Sequence, residues 1–362
     1  MVKILFLPNW RVEYCNTTPI DKQPPDYYVK NRDYWFFRYF AEKPYVDVID
    51  IKSNNWLEKT EKNIFRFYIF QALKAIPRLN NYDLVVSHGM QSGIVIALWR
   101  RLFKTRSKHI VFDIGSFNSA AESGLALKLM QHASKSIDGI IYHTSSQIKY
   151  YENFFQWIVK KSQFIKFGTD YNFFSKYIGM GDKNNGNKKV ADYCICVGYS
   201  KRDWDTLFCA FKKAQIENLR LKLVGHVDEK YKGVKNIEQI GYVTIDELMK
   251  LVDGAKFSIL PLKSFNYSYG QMTLMQQMAM GKCVIAAKVP SLMDYGEDDN
   301  TVVFYDPENV DQLASKIRKV NFDSDFRHYL ERNAEDYVKV KNNEETMTAE
   351  IERYFKYVLK GR

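Results

Sequence analysis

Two rhythms of apolar and polar positions alternate along this chain. Short unbroken apolar runs recur at Lys3 to Leu7 (KILFL), Val46 to Ile51, Leu84 to Ser87, His109 to Asp113 (HIVFD), Ile137 to Tyr142, Tyr193 to Gly198, Leu221 to Val224, Ser258 to Leu260 and Cys283 to Ala287. Runs of this length, bounded by turn residues, read as buried strands. Between them, apolar residues recur at three- and four-residue spacing over 63–79, 93–103, 245–252 and 271–280, which predicts amphipathic helices. The final stretch, 344–360, has the same helical spacing at Met347, Ile351, Tyr354, Phe355 and Val358. Strands alternating with such helices predict parallel βαβ units, an α/β class. A chain of 362 residues is too long for one typical core. The Gly-, Asn- and Lys-rich stretch YIGMGDKNNGNKK, 177–189, reads as a linker between two domains.

One stretch joins these rhythms to candidate chemistry. The run FSILPL ends at Pro261, and a polar loop follows from Lys263 to Tyr269. Gly270 then opens a helix of about Gln271 to Met280, which Gly281 stops. In parallel sheets, ligands sit outside the carboxyl ends of the strands. The N–H groups near Gly270, Gln271, Met272 and Thr273 would face that spot and favour an anion, the helix dipole contributing about 0.3–1 kcal/mol. Gly270 would let a phosphate approach the backbone closely. An ordinary buried βαβ unit carries the same pattern.

Charge sharpens the picture. The net charge is +11, and residues 1–180 hold 25 of the 53 Lys+Arg but only 15 of the 42 Asp+Glu, so almost all of the excess lies in the first half. An anionic partner on that half is the expectation: a membrane surface, a phosphorylated acceptor or nucleic acid. Arg100, Arg101, Lys104, Arg106 and Lys108 cluster beside Trp99, Leu102 and Phe103, which reads as a membrane-surface patch or a solvated helix end. No nucleic-acid motif surrounds the cluster, so nucleic acid is not expected as a partner. No run of eighteen apolar residues occurs, and MVKILFLPNW reads as a strand rather than a cleavable signal. Five scattered cysteines have neither metal spacing nor a disulfide framework, which suits a reduced, cytoplasmic setting.

Other candidates lie on loops after strands. The loop PNWRVEY lacks the G-x-G-x-x-G of a dinucleotide site, so NAD and FAD are not expected. Asn9, Trp10 and Arg11 stand where a first βα loop would reach a cleft, and His88 ends another strand; either group could touch a ligand or pack beneath its loop. Asp113 is a candidate polar group at the cleft or a loop-capping carboxylate. Thr144 or Ser145, Asp203 or Asp205, and Thr244 are candidate helix caps. Asp323-Ser324-Asp325 looks like a metal-binding D-x-D but precedes a helix and reads as a cap. No His/Cys cluster has metal spacing, and serine-hydrolase and zinc-peptidase motifs are absent.

Several of these segments resemble the family-4 retaining glycosyltransferases of the GT-B fold. QQMAMGKCVI resembles their E-A-M-A-x-G-x-P-V-I segment at Met278, Ala279, Gly281, Val284 and Ile285. KFSILPLK is similar to their D-V-x-V-L-P-S strand, NIEQIGY to their N-V-x-F-x-G-Y-V turn, and Gly168-Thr169-Asp170 with Phe174 to a turn that usually ends the first domain. The resemblance implies two Rossmann-like domains facing a central cleft: 1–175 for the acceptor, a linker 176–190, 191–343 for the nucleotide sugar, and a helix 344–362 returning to the first domain. It implies a donor site at Gly198, Ser200, Arg202, Gly225, Tyr242, Val243, Lys263, Gly270, Gln271, Met272, Thr273 and Gln276. Arg202, with Lys201 as a substitute, would grip the diphosphate, and Tyr242 and Val243 would lie against the base. Asp113 to Ser116 occupy the slot where many members have a reaction-centre histidine, so Asp113, Ser116 and Arg202 are the candidate catalytic groups; Asn9, Trp10, Arg11 and His88 would meet the acceptor.

The chain departs from the family where Ser268 and Gln276 replace two glutamates and Cys283 replaces a proline. The implied activity is transfer of a sugar from a nucleotide-diphospho-sugar to a glycan or lipid-linked acceptor with retention, with domain closure excluding water and with neither cofactor nor metal. Polysaccharide or glycolipid synthesis at the inner membrane face is the implied setting. The rivals are a non-catalytic binding subunit of this fold and a nucleotide-sugar epimerase.

Overall fold

The protein is described here by a computed structural model that covers the chain except residues 20–21, 53–60, 62–66, 116–121, 181–191, 199, 226–228, 266 and 362. Ser116, His226, most of the expected linker and the start of the helix expected at 63–79 lie outside the described residues.

The chain divides into two compact units, Met1–Lys166 with Asn266–Tyr269 and Met347–Arg362, and Phe167–Phe265 with Gly270–Thr346. The first is built on a parallel sheet of β1 (Lys3–Leu7), β4 (Tyr45–Val48), β5 (Leu84–His88), β6 (Lys108–Asp113), β7 (Gly139–Tyr142) and β8 (Ser162–Phe164), in the order β4-β1-β5-β6-β7-β8. The strands of β1, β5 and β7 are almost entirely buried on both faces, which is why they read as unbroken apolar runs rather than alternating ones. A two-stranded parallel ribbon, β2 (Glu13–Cys15) with β3 (Tyr27–Val29), lies outside this sheet. The second unit repeats the plan with β9 (Tyr193–Val197), β10 (Arg220–Val224), β11 (Ile237–Ile240), β12 (Ser258–Leu260), β13 (Val284–Ala287) and β14 (Val303–Tyr305), in the order β11-β10-β9-β12-β13-β14. Strand order reverses at β9, which places a topological switch point between β9 and β12.

Helix ends follow local chemistry. Thr244 and Glu247 form a capping box on the helix Ile245–Asp253, the Gln147 side chain accepts from the Thr144 amide on the turn that leads into Ile148–Phe154, and Asp203 caps Trp204–Ala214. Asp323 accepts from the Phe326 amide at 2.9 Å, so the D-x-D caps Ser324–Lys341. The described part of the helix expected to Leu79 runs Ile69–Ala75 and then tightens into a 3-10 turn, Ile76–Asn81, where Pro77 withholds an N–H.

The boundary between units falls at Lys166 rather than at 175. Residues just past it are tied to the second unit: the Phe167 amide donates to the Tyr295 hydroxyl at 2.9 Å, and Thr169 bridges Asn343. The helix Glu344–Lys360 is part of the first unit from Met347 onward. Tyr354 donates to the Lys161 carbonyl at 2.5 Å and accepts from the Ile140 amide, Glu352 accepts from the amides of Ala41 and Glu42, and Phe355 packs on Phe40.

Arg100, expected on an exposed basic patch, is folded inward instead. Its guanidinium donates twice to Asp138 at 2.9 Å and to the carbonyls of Ser107 and Ser136, and its side chain is 10% exposed. Burial pushes the Asp138 carboxyl up, but Arg100, the His109 amide and Lys108 together hold it below the usual range. The stabilisation this implies is present above about pH 4, the unfolded carboxylate value, and is lost as pH falls through the lower folded value. Arg100→Ala should cost about 2–4 kcal/mol in denaturant unfolding at pH 7, because Asp138 keeps its burial and loses its partner. That difference should shrink below pH 4; an unchanged midpoint at pH 7 would remove the clasp from this account.

Candidate donor and acceptor sites

In the second unit, the loops after β9 and β12 are zipped together at the switch point. The Asp203 amide donates to the Pro261 carbonyl at 2.9 Å, the Lys263 amide to the Lys201 carbonyl at 3.2 Å, and Arg202 bridges Leu262. The Lys201 ammonium sits 4.4 Å from the centre of the Phe265 ring. Arg202 is 8% exposed, and its guanidinium donates to the Val197 carbonyl at 2.7 and 3.1 Å, to the Ser200 carbonyl at 3.0 Å and to the Thr273 hydroxyl at 3.5 Å. It therefore braces the loop that carries Gly198 and Ser200 and links it to the first turn of the helix Gln271–Ala279.

Two glycines make this arrangement possible. Gly198 has φ +89, and a Cβ on it would lie 2.7 Å from Arg202 Nη2. Gly270 has φ +80, and its Cβ would lie 2.5 Å from a Leu262 methyl. Both positions need left-handed backbone and an empty Cβ space. Gly225, φ +87, closes the same end of β10, with its missing Cβ directed at Gly198 3.8 Å away. The first-turn N–H groups of any α-helix point out of its N-terminus; here that turn is Gln271, Met272 and Thr273, beside Arg202 and the exposed Lys263.

The structure thus brings Gly198, Ser200, Arg202, Gly225, Lys263, Gly270, Gln271, Met272 and Thr273 to the carboxyl end of one sheet. Gln276 stands a turn further along the same helix, half-buried. Tyr242, 81% exposed, and Val243 follow β11, and Gly225 donates back to Ile240 and Gly241, so the β10 and β11 loops adjoin.

In the first unit the ends of β1 and β5 carry the expected acceptor residues. His88 is 6% exposed, its ring lies 4.7 Å from Trp10 and stacks on Phe112 at 5.4 Å, and among the described residues neither ring nitrogen has a hydrogen-bond partner in another residue. Burial drives its pKa down to about 3, so the imidazole is neutral at physiological pH. Asn9 joins them beside Gly89, while Arg11 is exposed. Sequence reasoning missed Phe6 and Trp35, which complete the aromatic cage; the dense aromatics of 27–40 were the available signal.

Asp113, at the end of β6, is fully buried and accepts from the Tyr151 hydroxyl at 2.6 Å, the Gly115 amide at 3.0 Å and the Gln147 amide group at 3.4 Å. This is the loop-capping arrangement, one of the two roles considered for it. Burial, with Asp113 next, pushes the Tyr151 hydroxyl well above its usual range. Among the described residues no group of three His, Cys, Asp or Glu side chains could hold a metal.

Comparison with known proteins agrees with this geometry. Residues 194–337 match the family model for glycosyl transferases group 1. The fold is GT-B, and the matched segment lies within the second unit apart from Asn266–Tyr269. The GT-B chain is similar to sucrose-phosphate synthase from Thermosynechococcus elongatus, with TM-score 0.73 and 16% identity over 99% of this chain and 100% of that one. It is similar to HepE of Anabaena, solved in complex with UDP, with TM-score 0.68 and 14% identity over 98% and 100% of the two chains. A glycosyltransferase from Rickettsia africae gives TM-score 0.68 and 15% identity over 100% and 99%. Among curated proteins, none matches this GT-B chain.

Gly270→Ala should destabilise the second unit by about 1–3 kcal/mol, since a Cβ meets Leu262 and the backbone is left-handed. Denaturant unfolding checks this; an unshifted midpoint would mean the loop relaxes freely.

Proposed function

We propose that this chain transfers a sugar from a nucleotide-diphospho-sugar to a glycan or lipid-linked acceptor, with retention at the anomeric carbon. The observation that carries the reading is the carboxyl end of the sheet, where Gly270 opens a helix N-terminus beside braced Arg202, in a domain that matches group 1 glycosyltransferases. Such an end concentrates donors and positive charge where a leaving diphosphate would form, an electrostatic mode of catalysis. HepE has been solved with UDP and with UDP-glucose, and by analogy a nucleotide sugar is the donor assigned here. The amides of the first helical turn and Lys263 would take the diphosphate oxygens. Arg202 holds the loop in place and would add its charge. Gln276 would hydrogen-bond the ribose, and Tyr242 and Val243 would border the base. Trp10, His88 and Asn9 would meet the acceptor. The reading needs no cofactor and assigns no metal, because protein cations supply the charge.

Ser268 and Gln276 favour a second reading, a binding subunit that has lost catalysis: neither side chain carries the negative charge of the family's glutamates. Nucleotide-sugar turnover without an acceptor would instead point to an epimerase.

Thermal unfolding against a panel of nucleotides and nucleotide sugars tests the donor. A nucleotide at one hundred times its Kd should add about 2.7 kcal/mol to the folded state. Arg202→Ala should weaken binding by about tenfold or more, with Arg202→Lys between the two because it keeps charge but not the fork. No shift with any nucleotide would overturn the transfer reading, and a shift that appears only with added divalent cation would overturn its metal-free part.

A peripheral membrane setting is part of the proposal. Leu102 is 76% exposed, Phe103 is 49% exposed and stacked on Trp99 at 4.0 Å, and exposed Arg101, Lys104 and Arg106 flank them. An apolar tip ringed by cations suits an anionic bilayer. No described helix is long and apolar enough to cross a membrane. The protein should float with anionic but not neutral vesicles, and an R101E/K104E variant should stay in solution; equal recovery with both vesicle types would remove this part.

A further inference from the structure

The segment of the first unit beside the amino-terminal ribbon forms a pocket of about 390 Å³, half open to solvent, lined by Thr18, Tyr28, Asn31, Arg32, Asp33 and Trp35 among others. This size lies within the range of small-molecule sites, about 300–1,000 Å³. Its lining has two kinds of chemistry. The half-buried rings of Tyr27 and Tyr28 stand beside the buried Trp35, and among them are a hydroxyl, an amide, a carboxylate and a guanidinium. A sugar ring presents the complement, apolar C–H faces edged by hydroxyls that each donate and accept.

Charge narrows the class. Asp33 is compensated by Lys43 at 3.3 Å. Arg32 makes a single long hydrogen bond, 3.4 Å to the Thr18 hydroxyl, and no ion pair among the described residues. Arg38 lines the same pocket. The pocket is therefore net positive, and it offers the planar fork that grips carboxylate or phosphate oxygens in a bidentate way.

Its walls are set in advance. The Pro25 carbonyl accepts from the Tyr34 hydroxyl at 2.8 Å and from the Trp10 indole at 3.2 Å. Tyr28 packs on Tyr34 with ring centres 5.3 Å apart. Asn31 and Trp35 bracket the polar pair Arg32–Asp33 and both have left-handed backbone, φ +64 and +44. For a bulky indole this conformation is costly and persists only when packing enforces it; Trp35 is 5% exposed and packs on Phe36 at 4.7 Å and Trp10 at 5.5 Å. The same ring lies 5.8 Å from His88, so it joins the pocket to the residues at the ends of β1 and β5.

We propose that this pocket is a subsite for an anionic saccharide, a sugar bearing a carboxylate or a phosphate, with Arg32 on the anionic group and the half-buried ring of Tyr28 against the sugar. It rests on the transfer reading for its role, as an outlying position for a charged acceptor chain, but not for its chemistry.

Calorimetric titration decides it, with three probes of matched length: a uronate-bearing oligosaccharide, the same oligosaccharide with its carboxylates reduced to alcohols, and a phosphate-substituted one. At least one anionic probe should bind, at least about tenfold tighter than the neutral one, as one charge-assisted bond warrants. Which anionic probe binds names the source of the charge. Arg32→Ala should remove that preference, and Arg32→Gln, which keeps hydrogen-bonding length without charge, gives the same reading should the alanine variant not fold. Equal binding of neutral and anionic probes, unchanged affinity in the Arg32 variants, or no binding by any probe would overturn the subsite. Stabilisation by UDP, followed on the same variants, should not change. Saccharide binding without UDP binding would keep the subsite and sink the transfer reading; UDP binding without saccharide binding would do the reverse.

Discussion

The second unit depends on one interlock. The Arg202 guanidinium occupies the space that Gly198 leaves by having no side chain, and Leu262 occupies the corresponding space at Gly270. Because Arg202 and Leu262 bridge each other, the two glycines, the guanidinium and the leucine form one coupled structure across the switch point. A carbonyl at the end of a parallel strand needs a donor that the next strand does not supply, and Arg202 gives Val197 two. The outcome is a loop held rigidly beside a helix N-terminus. Preorganised positive charge of that kind is worth more to a developing anion than the same groups on a mobile loop.

Much of this fold was legible in the sequence because both sheets are parallel and covered on both faces. Burial on two faces makes a strand an unbroken apolar run, and KILFL or CVIAA announces itself. Caps were equally legible, since Thr244 and Glu247 act on neighbouring residues only. What could not be read was the destination of long side chains. The charge of Arg202 is visible in the sequence, whereas its bond to Thr273 depends on how distant loops meet. Asp113 is held by Tyr151, and Arg100 by Asp138, for the same nonlocal reason. The segment from Phe167 to Tyr177 sounded like an ending by its motif, but its hydrogen bonds run forward to Tyr295 and Asn343.

The basic excess of the first half resolves into populations that composition cannot separate. Arg100 and Lys108 are consumed within the unit against Asp138. Arg101, Lys104 and Arg106 remain at the surface beside apolar side chains. Arg32 and Arg38 line a pocket beside aromatic rings. The latter two groups suit different partners: a broad anionic surface for the first, a shaped anionic ligand for the second. A net charge predicts that something negative is met, and packing decides what.

The two missing glutamates bear on the same balance. At the proposed donor site, the helix N-terminus, Arg202, Lys201 and Lys263 contribute positive potential, and Gln276 contributes no offsetting charge. A site with carboxylates divides its work, cations holding the diphosphate and anions holding the ribose and sugar hydroxyls. Under the proposed transfer, cations would serve the first function and neutral groups the second, with hydrogen bonds roughly half as strong as charge-assisted ones. Such a site should discriminate among donors chiefly by the diphosphate and the base, and only weakly by the sugar. Under that proposal, selectivity in transfer would come from the first unit, where the aromatic cage around His88 and the charged pocket beside Trp35 supply shape and charge.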